Sequence, residues 1–471
     1  MSSDAQNLTT TRTGGRPASS GVIAGRYALS VGMPINWPDT DGFKWTLLSN
    51  VARLESGHTP SRKHPEYWGG DVPWIGIKDA TGNHGGTLYS TQQYTNALGI
   101  ANSSARVLPK NTVCLSRTAS VGYVVVMGCP MATSQDFVNW VCSEQLDYRY
   151  LKYILLSEHE SMLRFASGTT HQTIYFPEAK AFHVLLPQIE QQRKIADILQ
   201  SLDDRITLLR ETNSTLEAIA QALFKSWFVD FDPVRAKAEG RQPEGMDVTT
   251  GALFPDSFEE SELGLVPKGW RWAALADAYE MNPARKLKKG EVAPYLDMSS
   301  APTSGHCSEA YVQREMGSGA KFTNGDTLLA RITPCLENGK SAFVDFLDDG
   351  QNGWGSTEFI VLRPKAPLPE YHGYLLARHT QFRDFAVQCM SGTSGRQRIQ
   401  NDMLGRFLLA LPTESVANAF SDFVMPIQKS ITANHKQAQT LGLLRDTLLP
   451  RLISGQLRLP DAEHAVEEAL A

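Results

Sequence analysis

Between residues 187 and 228, apolar side chains recur at alternating steps of four and three: Ile195, Leu199, Leu202, Ile206, Leu209, Asn213, Leu216, Ala220 and Leu223. This is a coiled-coil heptad, a long helix with one narrow apolar seam. At about 1.5 Å per residue, some 40 residues predict a rod of roughly 60 Å. Residues 412–452 follow the same rhythm with Phe420, Val424, Ile427, Ile431, Asn434, Ala438, Leu441, Arg445, Leu448 and Leu452. Such a seam must be covered, and the two fit each other antiparallel. If Asn213 faces Asn434, then Ile195 meets Leu452, Leu199 meets Leu448, Ile206 meets Leu441, Leu216 meets Ile431 and Leu223 meets Val424. A slide of one heptad would still match apolar residues but would strand both amides, so the Asn pair fixes the register. Leu202 then faces Arg445, a partial mismatch, and Pro426 predicts a break or kink near Met425, because proline removes a backbone donor.

The seams alternate with two regions of short apolar runs and turn clusters, and the second region repeats the first. Trp45 opens one and Trp272 the other. NTVCLSR (111–117) resembles GDTLLAR (325–331), SQDF (134–137) resembles STEF (356–359), SGTT (167–170) resembles SGTS (391–394), and LLP (185–187) resembles ALP (410–412). The order is kept throughout, which is the signature of an internal duplication. In the first region, strands are predicted around 113–115, 123–127 and 181–186, and a helix over 151–165.

The predicted fold class is α+β: two mixed α/β domains separated by two long helices that form an antiparallel coiled coil, a pseudo-twofold repeat. In order, the chain reads as a disordered or extended arm (1–42), a first mixed domain (43–186), a helical spacer (187–229), an acidic Pro/Gly linker (230–266), a second mixed domain (267–411), a second helical spacer (412–457) and an acidic tail (458–471).

The sequence carries no recognisable catalytic set. Residues 334–341, PCLENGKS, approach a phosphate-binding loop, but proline replaces the glycine that lets the backbone wrap a phosphate. No His pair has zinc-protease spacing, no GxSxG elbow occurs, and the eleven histidines form no ligand-spaced cluster. The six cysteines show no CxxC pair, so no metal site and a reducing, cytoplasmic setting are expected. No apolar run approaches the roughly 20 residues of a membrane span.

Binding chemistry is present. The net charge is −5, yet the acids concentrate in 230–262 and after Pro460, which leaves the rest of the chain with a basic balance. Arg and Lys suit phosphates and guanine edges, and Asn and Gln suit adenine. In loop-like settings the first domain offers Arg62, Lys63, Lys78, Asn83, Lys110, Arg117 and Gln172. The second offers Arg285, Lys286, Lys288, Lys289, Lys321, Arg331, Lys340, Arg396, Gln397 and Arg398. Four cations within residues 285–289 suit backbone anchoring. Trp68 and Trp74 read as core rather than as platforms for bases, and Arg117 and Arg331 could instead be partners of buried acids.

Several stretches together resemble the specificity subunit of type I restriction-modification systems. They are GHTPSRKHPEYWGGDVPW (57–74), IEQQRKIADILQSLDDRI (189–206), LFKSWFVDFDPVRAKAEG (223–240), LFPDSFEESELGLVPKGW (253–270), GWGSTEFIVLRP (353–364), SGTSGRQRI (391–399) and LLRDTLLPRLISGQL (443–457). The resemblance spans residues 45–459. It implies two target-recognition domains, each reading one half of a bipartite double-stranded DNA site. The helical regions would set the spacing and dock two methyltransferase subunits. Those partners use S-adenosylmethionine to methylate adenine, and restriction subunits, which act as motor and nuclease, use ATP and Mg. The resemblance implies no catalytic residue and no cofactor in this chain. Two readers on a stiff spacer are expected to address one face of the duplex with half-sites about one helical turn, roughly 34 Å, apart. The alternative is a stand-alone bipartite DNA-binding regulator with no methyltransferase partner.

Overall fold

The computed structural model describes residues 21–34, 42–167, 172–393 and 395–470. These fall into two compact units. One combines the described residues up to Ile206 with those from Thr440 onward, and the other is Thr207–Gln439. Two helices of 40 residues, Ile189–Phe228 and Glu414–Ile453, contribute a segment to each unit.

In the first unit, a sheet of order Ile23–Ala24, Leu29–Val31, Phe182–Leu186 and Lys44–Leu47 lies beside a five-stranded sheet. The five strands are ordered Ala52–Ser56, Phe137–Cys142, Val113–Ser116, Val124–Met127 and Thr87–Leu88. A third, small sheet is built on Trp68–Ile75, which pairs in parallel with Ala132–Thr133 and antiparallel with Gln93–Thr95. Val113–Ser116 and Val124–Met127 are buried at every position, which is why they read as unbroken apolar runs instead of alternating ones. The helix expected over 151–165 is two helices, Tyr148–Ser157 and His159–Phe165. The Asp147 side chain caps the first by accepting from Arg149 N at 2.8 Å.

The second unit repeats this plan. Phe359–Pro364 pairs with Thr327–Ala330 in the register that Phe137–Cys142 adopts against Val113–Ser116: Phe359 faces Ala330 as Phe137 faces Ser116. Tyr279–Met281 flanks Phe359–Pro364 as Ala52–Ser56 flanks Phe137–Cys142. Val292–Leu296 pairs in parallel with Gly353–Gly355, as Trp68–Ile75 does with Ala132–Thr133. Trp272 faces Ala410 as Trp45 faces Leu185. The helices Glu370–Arg378 and Thr380–Gln388 follow, matching Tyr148–Ser157 and His159–Phe165. The duplication read from short motifs is therefore a duplication of topology.

The long helices pair antiparallel in both units. In the second unit, Asn434 Nδ2 donates to Asn213 Oδ1 at 2.9 Å, and Asn213 Nδ2 donates to the Ile431 carbonyl at 3.0 Å. Further along, Phe228 meets Phe420 with ring centroids 4.7 Å apart, and Leu223 packs against the core that contains Val424. Numbers rise along one helix as they fall along the other. In the first unit, Ile195, Leu199 and Leu202 are almost wholly buried, as are Leu441, Leu448 and Leu452. The expected mismatch of Leu202 with Arg445 is relieved because the guanidinium turns aside to Asp203, Nη1 to Oδ1 at 2.7 Å. Asp203 also accepts from the Tyr153 hydroxyl at 2.7 Å, and Lys152 Nζ lies 3.6 Å away, so one carboxylate fastens the Tyr148–Ser157 helix to both long helices.

Four expectations need correction. The second long helix does not break at Pro426 but runs from Glu414 to Ile453. Pro426 sits on an exposed face, with exposed Asp422 one turn before it, so water can reach the carbonyl that loses its donor. The acidic stretch 230–266 is not a linker. It folds into helices Asp232–Ala238 and Val248–Ala252 and a hairpin of Phe258–Ser261 with Gly264–Pro267. Phe231, Val234, Phe254 and Val266 enter the core that holds Trp227, Phe228 and Trp270. Its prolines, glycines and acids start and cap these elements: Pro233 lies in the first turn of its helix, and Asp247 accepts from Thr249 N and Thr250 N at 2.9 and 3.0 Å. The acidic tail contains a helix, Leu459–Leu470, that buries Ala462 and Val466 one turn apart. Within the expected arm, Ile23–Ala24 and Leu29–Val31 are sheet strands, and buried Glu158 accepts from the backbone N–H groups of Arg26, Tyr27 and Ala28 at 2.6–2.8 Å. The rest of the arm, 1–20 and 35–41, lies outside the described residues.

Candidate nucleic-acid interface

The repeated scaffold brings the repeated motifs together. In the first unit, Arg117 follows Val113–Ser116. Its N–H donates to the Asp136 carbonyl at 2.7 Å, and its carbonyl accepts from Ile174 N at 2.9 Å. The guanidinium donates from Nε to the Gln135 carbonyl at 3.1 Å and lies 5.2 Å from the Phe176 ring centroid. Burial holds this guanidinium below its ordinary pKa, against the opposing field of Asp136. The Gln135 side chain meets the Thr59 hydroxyl. Thr118 and Thr173 hydroxyls lie 3.0 Å apart beside exposed Gln172. Gly168, Thr169 and Thr170, which complete this cluster in sequence, lie outside the described residues.

In the second unit, Arg331 N donates to the Glu358 carbonyl at 2.9 Å, and the Arg331 carbonyl accepts from Ile399 N at 2.8 Å. The atoms are the same as at Arg117, but the side chains are arranged differently. Arg331 turns inward and donates from Nη2 to the Ile399 carbonyl at 2.8 Å. Arg398 grips the Glu358 carboxylate from Nε and Nη2 at 2.7–3.1 Å and holds it below its ordinary pKa. Gln397 N donates to the Thr333 hydroxyl at 3.1 Å, and Arg396 is exposed beside it. Ser394 lies outside the described residues.

The structure separates the other candidates into exposed and committed side chains. Lys63, Lys78, Lys110, Lys286, Lys288 and Lys289 are exposed, and so is Asn83, whose Nδ2 donates to the Asp79 carbonyl at 2.8 Å. Arg285 instead makes two bonds, at 2.7 and 3.2 Å, to Asp326, a fully buried carboxylate. Lys321 Nζ donates to the Leu287 carbonyl at 2.7 Å, and Lys340 Nζ donates to the Met298 carbonyl at 2.6 Å. These three hold loops of their own unit together.

A further correspondence went unread in the sequence. Exposed Arg62 stacks over Trp68 and Trp74, with its guanidinium carbon 4.2 and 5.2 Å from the ring centroids, and donates to the Gln93 side chain at 2.8 Å. Trp74 is core and Trp68 is half-exposed. In the second unit, exposed Arg314 stacks over Tyr295 and Trp354 at 4.8 and 5.7 Å. Both arginines lie on the small sheet with the parallel strand pair. Arg314 was missed because the aromatic residues beneath it come from distant strands, and only an exposed VQRE strand gave any local signal.

Residues 41–218 match the model of the type I restriction modification DNA specificity domain. The chain is 25% identical over 434 residues to the type I restriction enzyme MjaIX specificity subunit of Methanocaldococcus jannaschii, covering 88% of this chain and 93% of that one. It is 26% identical over 361 residues to the HindI specificity subunit of Haemophilus influenzae, covering 64% of this chain and 74% of that one. Over most of its length the chain is similar to type I restriction enzyme specificity subunits. The crystal structure of the S subunit from M. genitalium shares the fold, with a TM-score of 0.55 at 15% identity over 89% of this chain and 98% of that one. No helix among the described residues of this chain is long and apolar enough to cross a membrane.

Proposed function

We propose that this chain is the non-catalytic specificity subunit of a type I restriction-modification system, that it reads a bipartite DNA target, one half with each duplicated unit, and that its long helices set the spacing and dock methyltransferase and restriction subunits. The observation that carries this reading is the duplication: Arg117 and Arg331 sit at the same strand end with the same backbone partners, beside loops that differ in side chains. Equal scaffolds with unequal loops suit two related readers of two different half-sites. Exposed Lys63, Lys110, Lys286, Lys288 and Lys289 supply phosphate contacts, and Arg62 and Arg314, held on aromatic faces, are suited to guanine edges. The chemistry belongs to the partners, which supply S-adenosylmethionine, ATP and Mg, and the complex acts in the cytoplasm.

The test is to co-express the chain with its methyltransferase subunit and map modified adenines across a genome by long-read sequencing. A split motif with one modified adenine in each half is expected. A contiguous motif, or no motif in an active complex, overturns the reading.

A further inference from the structure

One cluster in the second unit belongs to none of this. His306 is fully buried, Cys307 follows it, and Asp345 arrives from a separate segment after the strand Ser341–Phe343. One ligand atom from each lies within 4.8 Å of the other two, and His306 Nε2 is 3.0 Å from Asp345 Oδ2. His306 and Cys307 line a cavity of about 290 Å³ together with Asn213, Glu217, Ile431 and His435. The buried Nε2 of His435 has no hydrogen-bond partner.

We propose that His306, Cys307 and Asp345 form a structural zinc site, with the fourth position filled from the cavity. Nitrogen, sulfur and carboxylate oxygen together are a zinc donor set. Bond lengths of roughly 2.0–2.3 Å in a tetrahedron place ligand atoms about 3.3–3.7 Å apart. The observed separations bracket that spacing, so rotations moving the outlying atom by about an ångström close the site.

The surroundings are those of a metal ligand set. His306 Nδ1 lies 3.0 Å from the Tyr371 hydroxyl, an oxygen that can accept a hydrogen bond from Nδ1–H and so favour the tautomer that leaves Nε2 its lone pair. Asp345 is steered by Gln428 Nε2 at 2.8 Å and by the Thr432 hydroxyl, both on the second long helix. Glu217 is held by the Tyr374 hydroxyl at 2.5 Å and by Arg378, and so serves the field, not the ion. Sequence spacing could not show the site, because Asp345 lies 39 residues from His306. With zinc bound, the loop around His306 would be pinned to the strand segment of Asp345 and, through Gln428 and Thr432, to the long helix.

The experiment uses the full chain, stripped with chelator, reloaded with Zn(II) or Co(II) and dialysed. Inductively coupled plasma mass spectrometry is expected to find about one equivalent of zinc per chain, and Co(II) to give a thiolate charge-transfer band. Cys307→Ser should abolish that band and weaken zinc binding about tenfold or more, while Cys335→Ser keeps both. Circular dichroism checks that each variant folds, and Asp345→Asn replaces Cys307→Ser if the latter does not. Wild-type protein that retains no zinc after dialysis overturns the proposal, as does a cobalt band that survives loss of the Cys307 thiol.

Discussion

The Asn213–Asn434 pair gives the sharpest quantitative test. Asn213→Ala removes two hydrogen bonds, one from Asn434 Nδ2 and one to the Ile431 carbonyl. Each contributes about 1 kcal/mol net, and the half-buried Asn434 amide left without a partner adds a desolvation penalty, giving about 2–3 kcal/mol in all. Asn434→Ala removes only the first bond and should cost about 1–2 kcal/mol. Replacing both with Leu removes donor and acceptor together and should recover most of the loss, so a double-mutant cycle would show a coupling of about 1–2 kcal/mol. Hydrogen exchange followed by mass spectrometry reads this as the opening free energy of peptides covering residues 207–220 and 427–440, without requiring the whole chain to unfold in one step. Equal exchange in Asn213→Ala and the double Leu variant would refute the reasoning, since the amides would then be bystanders in a seam held by leucine alone.

Other outcomes follow from side chains that look alike in sequence. Arg285→Ala should destabilise the second unit by about 3 kcal/mol in a denaturant melt, because buried Asp326 loses its two-bond partner and keeps, as charge partner, Arg363 at 3.5 Å beside the Thr323 N–H at 2.8 Å. Lys288→Ala with Lys289→Ala should leave that melt unchanged, yet weaken DNA binding by the complex and reduce the slope of log affinity against log salt by up to about 0.9 for each phosphate no longer neutralised. Arg62→Ala should relax one position in one half of the methylation motif and Arg314→Ala one position in the other, read by mapping modified adenines; relaxation in both halves by either variant would break the assignment. Buried His372, against the Tyr279 hydroxyl, has its pKa lowered to about 3 by desolvation. Its neutral form is the native one, so stability should be full above about pH 6.5 and fall by about 1.4 kcal/mol per pH unit as the pH drops toward 3. His372→Asn should lose that slope in urea melts run across pH.

What the sequence disclosed was what is local and periodic. Ile195 to Leu223 and Phe420 to Leu452 repeat every three or four residues, so their helices, their direction and the Asn213–Asn434 register could be read without coordinates. The duplication was legible because NTVCLSR and GDTLLAR end equivalent strands. Residues 230–266 misled because prolines, glycines and acids suggest a linker, whereas Phe231, Phe254 and Val266 are spaced too widely to show a period and still reach one core. Among the cations, commitment depends on acids far along the chain: Asp326 is 41 residues from Arg285, and Glu358 is 40 from Arg398. Nothing in the spacing separates Arg285 from Lys286, which lies exposed beside it.

The first unit is closed by a segment, Thr440–Ala471, that is synthesised after the whole of the second. Until it leaves the ribosome, the faces of Ile195, Leu199 and Leu202 have no Leu441, Leu448 or Leu452 against them. A frameshift or stop codon near Thr440 would therefore injure the lobe made first, not the one made last. Its bare leucine stripe would expose the truncated product to chaperones and proteases.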